Sequence, residues 1–122
     1  METTVDTYLA AWNETDAERR SALLDQAWNP EGRYLDPLLE AAGRDAIDEM
    51  TVGVQAAYPG HRFRRTTEID GHHDLLRFGW ELVTPDGSVT VGGIDIAVLG
   101  DDGRLRSVTG FFGALASVAV PA

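Results

Sequence analysis

Near the start of the chain Val5, Tyr8, Leu9 and Trp12 recur at three- and four-residue spacing, with polar Asp6, Thr7 and Asn13 around them. That spacing predicts an amphipathic helix, because residues three and four apart share one helical face. A second helix is expected after Asp16, whose short carboxylate can cap it. Leu23, Leu24, Ala27 and Trp28 form its apolar side, and Pro30 and Gly32 end it. A third is expected from about Asp45 to Tyr58, with Ile47, Met50, Val54 and Tyr58 inward, stopped by Pro59-Gly60.

From His61 onward the pattern is that of strands: His61 to Ile69, a turn near Asp70-Gly71, then about Asp74 to Thr84. Asp86-Gly87 and Asp102-Gly103 read as tight turns on either side of a strand from Ser88 to Leu99, with a last strand from Leu105 to Phe112. A short extended piece, Gly32 to Asp36, sits between helices two and three, since Pro37 biases Asp36 away from helical geometry. The order ααβαββββ predicts an α+β domain over residues 1–122: three N-terminal helices packed on a curved, mostly antiparallel sheet, as a cone-shaped barrel. The strand from Ser88 to Leu99 is apolar on both sides near its end, with Val91, Ala97 and Leu99 on one and Ile94, Ile96 and Val98 on the other. A strand apolar on both faces is covered on both, so the outer face is expected to be a homodimer contact.

One residue interrupts that strand. Asp95 lies between Ile94 and Ile96, where a carboxylate has to be paired, protonated or wetted. If Asp86-Gly87 is a two-residue hairpin, Asp95 stands opposite Phe78 and shares a face with Trp80, Leu82, Val91 and Gly93. Pairing across Asp102-Gly103 adds Val108, Gly110 and Phe112. Burial among aromatics raises a carboxyl pKa, which would make Asp95 a hydrogen-bond donor suited to a developing oxyanion; the other reading is an Asp bonded to a neighbouring side chain or exposed at a bulge. Gly93 and Gly110 are read as room for a ligand. Asp36, on the side of Tyr34, is either an ionised base at a partly wetted rim or a turn former. Tyr8 either offers its hydroxyl to the pocket or is a core tyrosine with its hydroxyl satisfied.

Composition narrows the class. Ten Lys and Arg against 20 Asp and Glu give a net charge of −10, which repels a phosphate backbone and excludes nucleic acid as the expected partner. Arg62, Arg64 and Arg65 read as a solvated strand edge. With no cysteine there are no disulfides and no thiolate sites. No signal-like start and no membrane-length apolar run is present, so the cytoplasm is the expected compartment and no membrane partner is expected. His61, His72 and His73 lack a metal-ligand spacing, because adjacent histidines on a strand point to opposite faces; no metal and no cofactor is expected. The apolar end, Ala114 to Val120, reads as a docking tail, part of the dimer contact, or a lid.

The opening Tyr8-Leu9-Ala10-Ala11-Trp12-Asn13, the Tyr34-Leu35-Asp36-Pro37 step followed by Gly43-Arg44-Asp45-Ala46-Ile47, and the closing Gly103-Arg104-Leu105 to Gly110-Phe111-Phe112 resemble the nuclear transport factor two-like superfamily. Within it the chain is most similar to SnoaL-like domains and ketosteroid isomerases, from about Tyr8 to Gly113. Ketosteroid isomerase uses an Asp base with an oxyanion hole of a Tyr and a protonated Asp. The resemblance implies those catalytic roles for Asp36, Tyr8 and Asp95. It implies a substrate pocket lined by Phe78, Trp80, Leu82 and Phe112, to which Trp12, Tyr34, Phe63, Val91, Gly93 and Val108 are added. The scaffold hosts isomerases, cyclases and binders. Two functions therefore stand: a cofactor-independent proton-transfer enzyme, isomerase or cyclase, on a small apolar carbonyl compound, or a non-catalytic binder of an apolar ligand.

Overall fold

The computed structural model describes residues 2–119. Helices α1 (Glu2–Asn13) and α2 (Ala17–Ala27) are followed by strands β1 (Trp28–Leu35) and β2 (Glu40–Ala42), helix α3 (Arg44–Ala57), and strands β3 (Arg62–Arg65), β4 (Asp70–His72), β5 (Leu75–Val83), β6 (Val89–Leu99) and β7 (Leu105–Phe112). Asp16 caps α2, its carboxylate accepting from the Arg19 amide at 2.9 Å.

The sheet runs β2-β1-β7-β6-β5-β3, with β4 also pairing β5; only β1–β7 is parallel. The helices cover its concave face. The expected α+β architecture of three helices on a curved, mostly antiparallel sheet is what forms, and because β2 and β3 at the ends of the order do not pair with each other, the cone stays open. Val5, Tyr8, Leu9 and Trp12 of α1, Leu24 of α2 and Ile47 of α3 meet Trp28, Leu76, Phe78, Ala97, Leu105 and Val108 of the sheet in one core.

Three boundaries differ from the sequence reading. Trp28 is not on α2 but opens β1, and the strand passes through Pro30 and Gly32 at an irregularity in the β1–β7 pairing. Proline fits such a break in the ladder, and Gly32 is required because a Cβ there would fall 2.4 Å from the Trp28 ring. Glu40–Ala42, not anticipated as a strand, pairs back on β1 through the Asp36–Leu39 turn. The expected His61–Ile69 strand is only Arg62–Arg65. Asp70-Gly71 lies inside β4, and the chain reverses at His73, which has a positive φ of 55°. That left-handed backbone also brings the His72 and His73 rings together, Nδ1 to Nδ1 at 2.9 Å, where an extended strand would have separated them.

The inner face of β5, β6 and β7 has the anticipated register, with Phe78 opposite Asp95 and Asp95 opposite Gly110. The route to it differs. The β5–β6 connection is one residue longer than a two-residue hairpin, with Thr84 and Ser88 bonded around it, and the register shifts by one residue between Leu82 and Val83. A bulge adds one residue to one strand, so longer loop and bulge cancel. On the outer face Ile94, Ile96 and Phe111 are exposed. Residues 114–119 are exposed without regular structure, and Val120, the end of the expected docking tail, lies outside the described residues.

Candidate active site

Between α1, α3 and the inner face of the sheet lies a cavity of about 270 Å³, lined by Tyr8, Leu9, Trp12, Tyr34, Asp36, Leu38, Leu39, Val54, Tyr58, Phe63, Trp80, Leu82, Val91, Asp95 and Phe112. Its wall is an arc of aromatic rings in successive edge or tilted contacts: Tyr34–Trp12 at 5.5 Å, Trp12–Phe63 at 5.2 Å, Phe63–Trp80 at 5.7 Å and Trp80–Phe112 at 5.9 Å between centroids. Asn13 fixes the arc at one point, because its side-chain amide exchanges two hydrogen bonds with the Phe63 backbone, at 2.9 and 2.8 Å, and so ties β3 to the end of α1.

Polar groups enter this apolar cavity as two Tyr–Asp pairs. In the inner pair the Tyr8 hydroxyl donates to Asp95 Oδ2 at 2.8 Å, and both residues are buried. Tyr8 is held by edge contacts to Trp28 and Phe78. Burial pushes the Asp95 carboxyl up from 3.8 to about 7, against the Tyr8 hydroxyl, which holds it down; Trp80 acts in the same downward sense and Asp36 in the upward one. The Trp80 indole nevertheless stays outside hydrogen-bond geometry, so Trp80 Nε1 and Asp95 Oδ1 are both buried without a partner. The Tyr8 phenol is raised well above its ordinary value, by burial first and then by the Asp95 charge.

The outer pair joins neighbours in sequence. The Tyr34 hydroxyl donates to Asp36 Oδ2 at 2.6 Å, while Asp36 Oδ1 accepts from the Leu38 and Leu39 amides, each at 2.8 Å. Asp36 is thus a turn former, since Asp accepts from the amides two and three residues on in such turns, and it also lines the cavity. Burial and the bond to Asp36 raise the Tyr34 phenol. The two pairs approach each other over Gly110: a Cβ on that residue would lie 2.9 Å from Asp95 Oδ1, 3.3 Å from Asp36 Cβ and 3.6 Å from the Tyr34 hydroxyl.

Of the residues singled out in the sequence, Tyr8, Trp12, Tyr34, Asp36, Phe63, Trp80, Leu82, Val91, Asp95 and Phe112 line this cavity, and Phe78, Gly93 and Val108 do not. Phe78 and Val108 pack into the core instead. At Gly93 and Gly110 the missing side chain leaves room for protein atoms. A Cβ on Gly93 would meet the Phe111 carbonyl at 2.0 Å and Trp80 Cζ2 at 2.8 Å, and one on Gly110 would meet Asp95. Leu38, Leu39, Val54 and Tyr58, at the side formed by α3 and the β1–β2 turn, were not assigned to the pocket. The exposed Leu38-Leu39 pair directly after Asp36-Pro37 was the available signal. Among the described residues no three His, Asp or Glu side chains gather as a metal cluster, and no helix is long and apolar enough to cross a membrane.

Among solved structures the chain is similar to a proposed isomerase of the SnoaL-like family from Agrobacterium tumefaciens, with 43% identity over 92% of this chain and 96% of that one and a TM-score of 0.87. It is also similar to an NTF2-like protein from Exiguobacterium, at 23% identity over 92% and 99% of the two chains and a TM-score of 0.72. A proposed polyketide cyclase from Sinorhizobium meliloti shares 17% identity over 88% and 93%, with a TM-score of 0.70. The last two similarities bear on the fold alone. No family model and no curated protein matches the chain.

Proposed function

This chain belongs to the SnoaL-like family, and from that premise we propose that it is a cofactor-independent enzyme that moves a proton next to the carbonyl group of a compact apolar substrate. The observation that carries the reading is the convergence of Asp36 and Asp95 on one aromatic cavity, with their environments differing: Asp95 is buried and raised to about 7, whereas Asp36 is partly exposed and engaged by three donors. Two carboxyls in unlike environments can divide acid and base roles. The Asp36 carboxylate takes a proton from the carbon beside the carbonyl, and the electron pair moves onto the carbonyl oxygen. Neutral Asp95 donates to that oxygen and stabilises the enolate. Asp36 then returns the proton to carbon, completing a double-bond shift, or the enolate carbon attacks a second carbonyl of the same molecule, whose π electrons move onto its oxygen, and the Asp36 proton goes to that oxygen as the ring closes. A volume of about 270 Å³ is at the small end for ligand sites and suits one or two rings.

The test is exchange of the α-protons of 2-tetralone, a bicyclic ketone, in deuterated water. The expected result is protein-catalysed exchange that falls by about 100-fold or more in Asp36→Asn. Asparagine keeps an oxygen for the Leu38 and Leu39 amides, so the turn and the fold should persist. Undiminished exchange by a folded Asp36→Asn protein sinks the assignment of the base.

A second reading has its own support. Three donors account for Asp36 as a turn element without any chemistry, which fits a binder that holds an apolar molecule without changing it. It predicts that 2-tetralone binds and exchanges no faster than in buffer.

We further propose that a second copy of the chain covers the outer face of β6 and β7. Ile94 and Phe111 are paired neighbours there and both are exposed, as is Ile96. A contiguous apolar patch of this kind marks an interaction site. Sedimentation should return a dimer for the wild type and a monomer for Ile94→Glu; a monomeric wild type would remove this part.

A further inference from the structure

The hydroxyl of Tyr8 is already committed. It donates to Asp95 Oδ2 at 2.8 Å, from a residue only 2% exposed, so it has no second proton to offer a ligand. The donor that would stand beside Asp95 at a ligand oxygen must come from elsewhere, and among the described residues one fully buried side-chain donor has no partner. Trp80 Nε1 is buried without a partner, and so is Asp95 Oδ1. The two are near enough for Trp80 to hold the Asp95 carboxyl down but are not in hydrogen-bond geometry with each other, and buried polar atoms in native proteins nearly always find a partner.

The glycines position both atoms. A Cβ on Gly93 would lie 2.8 Å from Trp80 Cζ2, the ring carbon adjoining the one that bears Nε1, so the N–H edge of the indole is the edge over Gly93. A Cβ on Gly110 would lie 2.9 Å from Asp95 Oδ1. Gly93 and Asp95 are two residues apart on the same face of β6, and Gly110 is opposite Asp95 on β7. Trp80 itself is opposite Gly93 on β5. The two unpaired atoms therefore belong to one small patch of the sheet.

We propose that Trp80 Nε1–H and the carboxyl of Asp95 together hold a single oxygen atom of the ligand, and that Tyr8 is the positioning residue behind Asp95. This deepens the proton-transfer reading, on which the identity of that atom as a carbonyl or enolate oxygen rests. The ligand class is a compact apolar molecule with one oxygen acceptor at its inner end, since the rest of the wall offers aromatic faces and edges. An indole N–H is a donor only, so a ligand with an ammonium or amide N–H at that end is rejected by Trp80.

Calorimetric titration at pH 6 with 2-naphthol and with naphthalene tests this without turnover. Trp80→Phe, which keeps an aromatic ring and removes the N–H, should weaken 2-naphthol by about tenfold more than naphthalene, which loses ring contact alone. In the wild-type protein the assigned Trp80 indole N–H resonance should move downfield on addition of 2-naphthol and hold its place with naphthalene, a measurement that does not depend on the variant folding. An equal loss for both ligands in Trp80→Phe, an unmoved indole resonance, or no binding of 2-naphthol at millimolar concentration overturns the assignment. The two readings fail separately. Undiminished exchange by Asp36→Asn would end the proton-transfer role and leave the naphthol discrimination in place, whereas loss of that discrimination in a protein that still catalyses exchange ends the Trp80 assignment alone.

Discussion

The Tyr8 hydroxyl and Asp95 Oδ2, 87 positions apart in the chain, meet at 2.8 Å in the interior. Because this hydroxyl holds the Asp95 carboxyl down, Tyr8→Phe should raise it further above about 7. Carboxyl titration by carbon NMR reads the change. The variant also loses a buried hydrogen bond, at a cost of about 1–3 kcal/mol in denaturant unfolding. A carboxyl that titrates lower in Tyr8→Phe would contradict the geometry.

Asp95 also sets a pH dependence of stability. Its folded value of about 7 stands above the ordinary 3.8, so between these values the folded state binds more protons than the unfolded one. Stability from this group therefore falls as the pH rises through that window. The loss is fully developed above about 7 and is on the order of 4 kcal/mol. Asp95→Asn should flatten this part of the profile in denaturant unfolding at pH 4 to 8. Turnover that relies on Asp95 as a donor declines in the same direction, as the pH rises through about 7.

Two glycines should respond to alanine in opposite ways. At Gly93 the new methyl would fall 2.0 Å from the Phe111 carbonyl, which is backbone and cannot step aside, so Gly93→Ala should destabilise by about 2 kcal/mol or more. At Gly53, exposed in α3, nothing lies within 4 Å, and Gly53→Ala should stabilise by about 0.5–1 kcal/mol through helix propensity. Thermal unfolding distinguishes the two signs.

Arg20 on α2 is buried, with its guanidinium bonded to Asp48 on α3 and to the Glu14 carbonyl at 3.1 Å. It clamps α2 to α3. Arg20→Ala should cost about 1–3 kcal/mol, because it leaves Asp48 without its partner, while the Glu14 carbonyl keeps the Gln55 amide at 2.9 Å, and Arg20→Met, which keeps an apolar stem, should cost less. Denaturant midpoints rank the two; equal costs would point to the charge alone.

Much of this molecule is local in origin and therefore legible in the sequence. The three- and four-residue spacing of Val5, Tyr8, Leu9 and Trp12 reappears as the buried face of α1, and Asp16 caps α2. The alternation along β5, β6 and β7 fixed which residues share the inner face, since a slip of one residue would have turned every side chain over. Asp95 was conspicuous for the same reason: it is a carboxylate in an apolar row.

What the sequence left open are the relations between residues far apart in the chain. Nothing local decides whether the Tyr8 hydroxyl reaches into the cavity or stops at Asp95 Oδ2, because that depends on how deeply α1 settles on the sheet. The same holds for Gly93 and Gly110, whose missing side chains leave room for Trp80 and Asp95. It holds as well for Phe78 and Val108, which share the inner face and yet pack into the core. The periodicity of a segment is set by neighbours within a turn or a pleat, so the sequence by itself determined the elements and their faces. The Asp36 carboxyl bonds to its own neighbours in sequence, but the depth of the cavity and the partner of Asp95 are set by the packing of separate elements, and those only the tertiary structure decided.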